Sequence, residues 1–390
     1  MLGVPVGFAP SYFVFFLVAL IGSLAMTPCA KRIALRFDAV DYPDKRRINR
    51  TPTPRMGGIA ILFGMACTLL AHLIGGYAGL WPSVLEPSPH LHLNYPLLGL
   101  AFAAVFVTGV IDDIRSLRPR GKFIGQLIAA LIAVQSGLVI GVIDNPFAPG
   151  FIELGWLAYP ITVVYLVAYM NVINLIDGLD GLAAGISFIT SSTMFVLSIW
   201  AGRIDAAILS TAVAGSTLGF LRYNFNPASI FMGDSGSLTL GFALGTISLL
   251  SVTRVAGLTT LIIPFVIAAV PFLDTLSAIV RRTRAHVSIG QADTGHIHHR
   301  LMDEGLNQRQ SVLLMYAWTA LLCVGSLIMT QVKTTLRIGI FFLLLAMSVM
   351  LVQHLHLFEP VLLHHYNPKT GKDELVRPGE EGFDEEAEKL

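Results

Sequence analysis

The chain has 390 residues, 54% of them hydrophobic and only 13% charged, with a mean hydropathy of +0.69. Soluble domains carry about 25% charged residues, so the composition excludes an ordinary globular protein and predicts an all-α, polytopic membrane protein embedded in a lipid bilayer. A net charge of +1, with no basic region set apart, argues against nucleic acid as a partner.

A membrane span needs about 20 mainly apolar residues. Eleven stretches qualify as candidates: 11–30, 57–76, 97–111, 124–142, 154–171, 182–201, 205–221, 236–252, 257–280, 312–330 and 336–356. The first has no cation before it and Lys31 and Arg32 after it, the reverse of a cleavable signal. It is expected to stay as a helix that starts outside. Several stretches are short or carry Gly and Pro, as helices do where their ends line a cavity. Cys29, Cys67 and Cys323 lie far apart in apolar runs and fit neither a disulfide framework nor a metal site, so they read as small buried hydrophobes.

With the first tail outside, the inner connections are 31–56, 112–123, 172–181, 222–235, 281–311 and the chain from 357. They hold 22 of the 26 Lys and Arg residues, and the outer set holds only Arg203, Arg254, Lys333 and Arg337. That bias predicts a cytoplasmic C-terminus by the positive-inside rule. The membrane domain is expected over 1–356. The acidic segment 357–390, broken by Gly and Pro, is expected to be a disordered cytoplasmic tail.

The polar residues collect in the inner connections. In chain order they read DYPDKRRINRTPTPRMGG, IDDIRSLRPRGK, NVINLIDGLDGL, LRYNFNPASIFMGDSGS and RRTRAHVSIGQADTGHIHHRL. Asp112 and Asp113 sit where an apolar run meets Arg115, Arg118, Arg120 and Lys122. As helix neighbours they point about 100° apart and need not share a role. Asp112, nearer the span, is expected to meet a group at the membrane boundary, and Asp113 to hold Arg115 or Lys122. Asn171, Asn174, Asp177 and Asp180 recur at a spacing that puts them on one helix face. An alternative is a loop of Asx turns and glycine hinges. Asp234 precedes a hydrophobic run, so it is either a helix cap or a ligand.

Asp293, His296, His298, His299 and Arg300 close the set. Zinc on the histidines is one reading. Carboxylates and amide oxygens suit a harder cation, Mg²⁺ or Mn²⁺. Anions for a metal and cations for phosphate, with a membrane behind them, predict phosphoryl chemistry between a soluble and a lipid-borne substrate.

VIDDIRSLRPRGKFIGQ, NVINLIDGLDGLAAG, NFNPASIFMGDSGSLTLGF and DTGHIHHRL, together with the early PTPRMGG, resemble the polyprenyl-phosphate N-acetylhexosamine-1-phosphate transferase family over roughly residues 10–330. The histidine pattern is similar to that of the undecaprenyl-phosphate N-acetylglucosamine-1-phosphate transferases. In the phospho-N-acetylmuramoyl-pentapeptide branch three histidines are consecutive, whereas Ile297 interrupts the run here. The resemblance implies transfer of N-acetylhexosamine-1-phosphate from a UDP-N-acetylhexosamine to undecaprenyl phosphate, with release of UMP, at the bacterial plasma membrane. It implies Mg²⁺ on Asp234, Asn174, Asp177 and Asp180, and a catalytic group of Asp112, Asp113 and Lys122. Asn171, Asp293, His296, His298, His299 and Arg300 would contact the nucleotide sugar. A homodimer is a candidate assembly. The rival class is a transporter, since carboxylates within spans mark ion pathways; here only Asp274 lies well inside one.

Overall fold

The protein is described from a computed structural model, which covers residues 9–42, 51–81, 85, 93–144, 151–251, 266, 268–284, 295–358, 363–367 and 372–376. Among these residues twelve α-helices run in order. They are α1 (Ala9–Arg36), α2 (Gly58–Tyr77), α3 (Tyr95–Arg115), α4 (Pro119–Gln135), α5 (Ala158–Ile176) and α6 (Leu182–Trp200). After them come α7 (Ile204–Asn224), α8 (Gly233–Ser251), α9 (Ala269–Arg284), α10 (Ile297–Asp303), α11 (Gln308–Gln331) and α12 (Thr334–His354). Each of the eleven apolar stretches contains helix, and the all-α membrane architecture is as the composition dictates.

Eight of the helices are long and apolar enough to cross a bilayer, by length and composition. The 17-residue α4, the 16-residue α9 and the Gly/Ser/Thr-rich α8 fall outside that set. The reason for α8 is packing. Residues 235–250 are all buried, so this helix meets protein on every side and needs small side chains more than apolar ones. It packs on α2, α3, α5, α6 and α7 and forms the hub of the bundle.

Glycines set two of these approaches. A Cβ on Gly219 of α7 would lie 2.4 Å from the carbonyl of Leu20, so α1 and α7 touch backbone to backbone. A Cβ on Gly109 of α3 would lie 2.4 Å from Ser235 Cα, which brings the end of α3 against the start of α8. Aromatic edges seal the other side of the hub, with Phe102 and Phe242 centroids 4.8 Å apart and Tyr165 Oη 2.5 Å from Ser248 Oγ.

Three two-residue to five-residue antiparallel ladders complete the described chain: β1 (Val40–Asp41) with β2 (Thr53–Pro54), β3 (Val142–Asp144) with β4 (Phe151–Glu153), and β5 (Leu363–Asn367) with β6 (Lys372–Val376). The last lies within the segment 357–390 expected to be a disordered tail, of which residues 357–358, 363–367 and 372–376 are described. LHHYN and KDELV pair in register, Leu363 with Val376 and Asn367 with Lys372. Of the cysteines expected to be buried, only Cys323 is; Cys29 is exposed on α1 and Cys67 half-exposed.

Candidate active site

The C-terminal ends of α3 and α5 meet the N-terminal ends of α4 and α8. Lys122, in the first turns of α4, reaches into that meeting point. Its Nζ lies 2.6 Å from Asp234 Oδ1, 2.9 Å from Asn174 Oδ1 and 3.2 Å from Asp112 Oδ2. Asn174 Nδ2 donates to Asp234 Oδ1 and, at 2.8 Å, to Ser237 Oγ. Three residues from three helices thus converge on one ammonium group carried by a fourth helix. Asp234 still keeps 25% of its side chain exposed, so the cluster is open to a ligand.

The two adjacent carboxylates divide the work. Asp113 Oδ1 accepts from the backbone N–H of Asp234 at 2.7 Å, and its Oδ2 from that of Ser235 at 3.1 Å. It caps α8 from outside the helix and satisfies donors that the first turn leaves orphaned. Asp112 Oδ1 accepts from Leu117 N at 2.5 Å, and its Oδ2 pairs with Lys122. The expectation that Asp113 holds Arg115 or Lys122 is therefore reversed: Asp112 holds the lysine. Gly233, at φ +71, makes this possible, because a Cβ there would come within 2.5 Å of Asp113 Oδ1.

Asp177 follows the end of α5. Burial raises its carboxyl well above the usual carboxylate range, and the negative neighbours Asp234, Asp113 and Asp180 push the same way, while Lys122 opposes them. Such crowding of carboxylates favours a cation. Asp180 is turned to a different task, accepting from Asn226 Nδ2 at 3.0 Å and Ala228 N at 2.9 Å, which fixes the loop that leads to Asp234. Asn171 sits one turn before Asn174 and forms a reciprocal amide pair with the buried Gln126 of α4, at 2.7 and 3.3 Å.

The histidine segment stands on its own support. Asp274, fully buried on α9, accepts from Ile297 N at 2.7 Å and pairs with His296 Nδ1 at 2.8 Å. It caps α10 and orients the His296 ring. His299 and Arg300 lie half-buried on α10. The side chain of His298 and all of Asp293 lie outside the described residues. This group connects to the rest through the start of α11. Gln308 Oε1 accepts from Asn226 Nδ2 at 2.6 Å, and Arg309 Nε donates to Asn226 O at 3.1 Å, so the same asparagine joins α11 to Asp180.

Gln126, Ser237 and the role of Asp274 were not read from the sequence. Gln126 had a signal, since it lies one helical turn after Lys122 and faces the same way. The Asp274–His296 contact crosses a long stretch of chain and had none.

Among the described residues no three His, Cys, Asp or Glu side chains form a ready-made metal cage. The donors around Lys122 are nevertheless all oxygens. Mg²⁺ typically takes one or two carboxylates and completes its shell with water and substrate phosphate, so this donor set fits a hard divalent cation.

A helical bundle that spans the membrane, with a lysine–carboxylate–amide cluster open at one end, defines an integral-membrane enzyme built to handle phosphate. The family model of glycosyl transferase family 4 matches residues 95–252, which contain Asp112, Asp113, Lys122, Asn174, Asp177, Asp180 and Asp234. A probable undecaprenyl-phosphate N-acetylglucosaminyl 1-phosphate transferase of Bacillus subtilis is 39% identical over 330 residues, covering 85% of this chain and 88% of the relative. A decaprenyl-phosphate N-acetylglucosaminephosphotransferase of Mycolicibacterium smegmatis is 36% identical over 335 residues, covering 80% of each. A phospho-N-acetylmuramoyl-pentapeptide-transferase of Desulforamulus reducens is 34% identical over 272 residues, covering 68% of this chain and 78% of the relative. The chain belongs to glycosyl transferase family 4.

Proposed function

We propose that the protein transfers N-acetylglucosamine-1-phosphate from UDP-N-acetylglucosamine to undecaprenyl phosphate and releases UMP. The product would be the first lipid-linked intermediate of a cell-envelope glycan. The single observation that carries this reading is the convergence of Lys122, Asp112, Asn174 and Asp234 at one open end of the membrane bundle. The relatives named for polyprenyl-phosphate N-acetylglucosamine-1-phosphate transfer supply the substrate classes. The charge bias of the connections favours a cytoplasmic site in the bacterial plasma membrane, with the first tail outside.

In the reaction a lipid phosphate oxygen attacks the sugar-bearing phosphorus. The bond from that phosphorus to the bridging oxygen breaks, and UMP leaves with that oxygen. A phosphate monoester is already largely ionised at neutral pH, so the acceptor needs little help from a base. The protein's task is to position two anions and offset their repulsion. Lys122 offers the positive charge, and Asp112, Asp234 and Asn174 hold its ammonium in place. Asp234 and Asp177, with Asn174 beside them, would hold Mg²⁺ or Mn²⁺, and the bound ion would neutralise charge on the diphosphate. His296 and Arg300 are assigned to the nucleotide sugar, on the mount that Asp274 provides.

The test is a radiolabelled UDP-N-acetylglucosamine assay on the detergent-purified full chain with undecaprenyl phosphate. UMP release that stops with a chelator and returns with Mg²⁺ is the expected result. Sugar flux into vesicles without UMP release would support a transporter and overturn the reading. Competition by a panel of UDP-sugars fixes the donor.

Asp274→Ala is expected to raise the KM for the UDP-sugar by about tenfold, the order of one lost charge-assisted hydrogen bond, and to leave the KM for the lipid alone. His296→Ala should show the same split. Equal effects on both substrates in steady-state kinetics would remove the histidine segment from nucleotide-sugar binding.

A further inference from the structure

The substrates bring several phosphate charges, more than the single ammonium of Lys122 offsets. Lys122 is ringed by Asp112, Asp234 and Asn174. Arg115, Arg118 and Arg120 are exposed.

Arg55 differs from all of them. Its backbone is pinned, with its N–H donating to Ala39 O at 2.9 Å and a parallel bridge to Phe231. Its carbonyl abuts Gly233, where a Cβ would lie 2.9 Å from Arg55 O and 2.5 Å from Asp113 Oδ1. The half-buried guanidinium gives Nη2 to Ser116 Oγ at 3.1 Å, and its Nε–H is buried with no protein partner. Among the described residues no carboxylate pairs with it.

The nearby carboxylates are committed elsewhere: Asp113 to the amides of α8, and Asp112 to Leu117 N and Lys122. Ser116, the hydroxyl partner, caps α3 through Asp112 O, so the guanidinium stands one residue from the Asp112–Leu117 bond. A partly desolvated cation without a counter-charge is costly, and the planar donor fork of arginine matches phosphate oxygens.

We propose that Arg55 binds a phosphate group of one of the two substrates at the edge of the Lys122 cluster. This rests on the reading of the protein as a phosphate-transferring enzyme. The shared chemistry is a phosphate oxygen; its source is either the diphosphate of the nucleotide sugar or the phosphate of the lipid.

The experiment labels the detergent-purified full chain with phenylglyoxal and follows modification of Arg55 by mass spectrometry. Labelling is run alone, with UDP-N-acetylglucosamine, and with undecaprenyl phosphate. In parallel, steady-state kinetics of Arg55→Gln and Arg55→Lys are measured against each substrate. One substrate is expected to slow labelling at Arg55 several-fold. The KM for that substrate should rise about tenfold or more in Arg55→Gln, with partial recovery in Arg55→Lys and the other KM unchanged. Protection by the nucleotide sugar assigns the diphosphate, and protection by the lipid assigns the lipid phosphate. Labelling that neither substrate slows, or wild-type KM values for both in Arg55→Gln, overturns the proposal. A wild type in which substrate protects Arg55 but no UMP is released keeps the phosphate site and overturns the reaction instead.

Discussion

Asp234→Asn is expected to abolish transfer while the protein remains folded and inserted. The substitution is nearly isosteric, and the backbone N–H of residue 234 can still donate to Asp113. What it removes is one negative charge at the point where Lys122 and Asn174 both converge on Oδ1. The lysine would then keep only one carboxylate, Asp112, and any divalent cation would lose an exposed carboxylate. Losing one such electrostatic contact typically lowers kcat by about 100-fold or more, ~3 kcal/mol of transition-state stabilisation. Turnover of UDP-N-acetylglucosamine at saturating Mg²⁺ checks it, beside a thermal melt in detergent. Activity above about a tenth of wild type would leave Asp234 as a helix cap and no more.

The second large effect separates the neighbours Asp112 and Asp113. Asp113→Asn should lower stability as well as activity. Both of its oxygens accept from N–H groups of α8, and an amide in that place can offer only one acceptor and must turn a donor toward a donor. The side chain is only 2% exposed, so the mismatch is not relieved by water. A loss of about 2–4 kcal/mol of folding stability is expected from one broken charge-assisted bond and one buried clash. Asp112→Asn keeps an acceptor for Leu117 N and lets go only of the charge on Lys122. It should lower kcat and leave the melting temperature near wild type. Matching melting temperatures in the two variants would show that Asp113 does not anchor α8.

The asymmetry shows what a sequence can carry here. The run VFVTGVIDDIR marks a helix end, and adjacency says the two carboxylates diverge. It does not say which one meets which helix, because the answer depends on α8, whose start is brought in by Gly109 and Gly233 from distant chain. Apolar runs located the helices because each one must bury or expose an apolar face in lipid, a local property. The polar face was legible for the same reason: carboxylates, amides and histidines are rare in such a chain. Pairings were not. Asp180 reaching Asn226, Asp274 reaching His296 and Gln126 reaching Asn171 are tertiary choices that no local pattern encodes.

The amide pair between Gln126 and Asn171 acts as a mechanical stop. Lys122 meets Asn174 and, one turn along, Gln126 meets Asn171, so α4 and α5 run in opposite directions with two toothed contacts between them. Sliding α4 by one turn would set the ammonium against Asn171, away from both carboxylates, and leave the glutamine amide facing Val167. Each mismatch strands a buried polar group. The two helices therefore have no intermediate gear. A one-turn slip of α4 along α5 is thus opposed at both contacts.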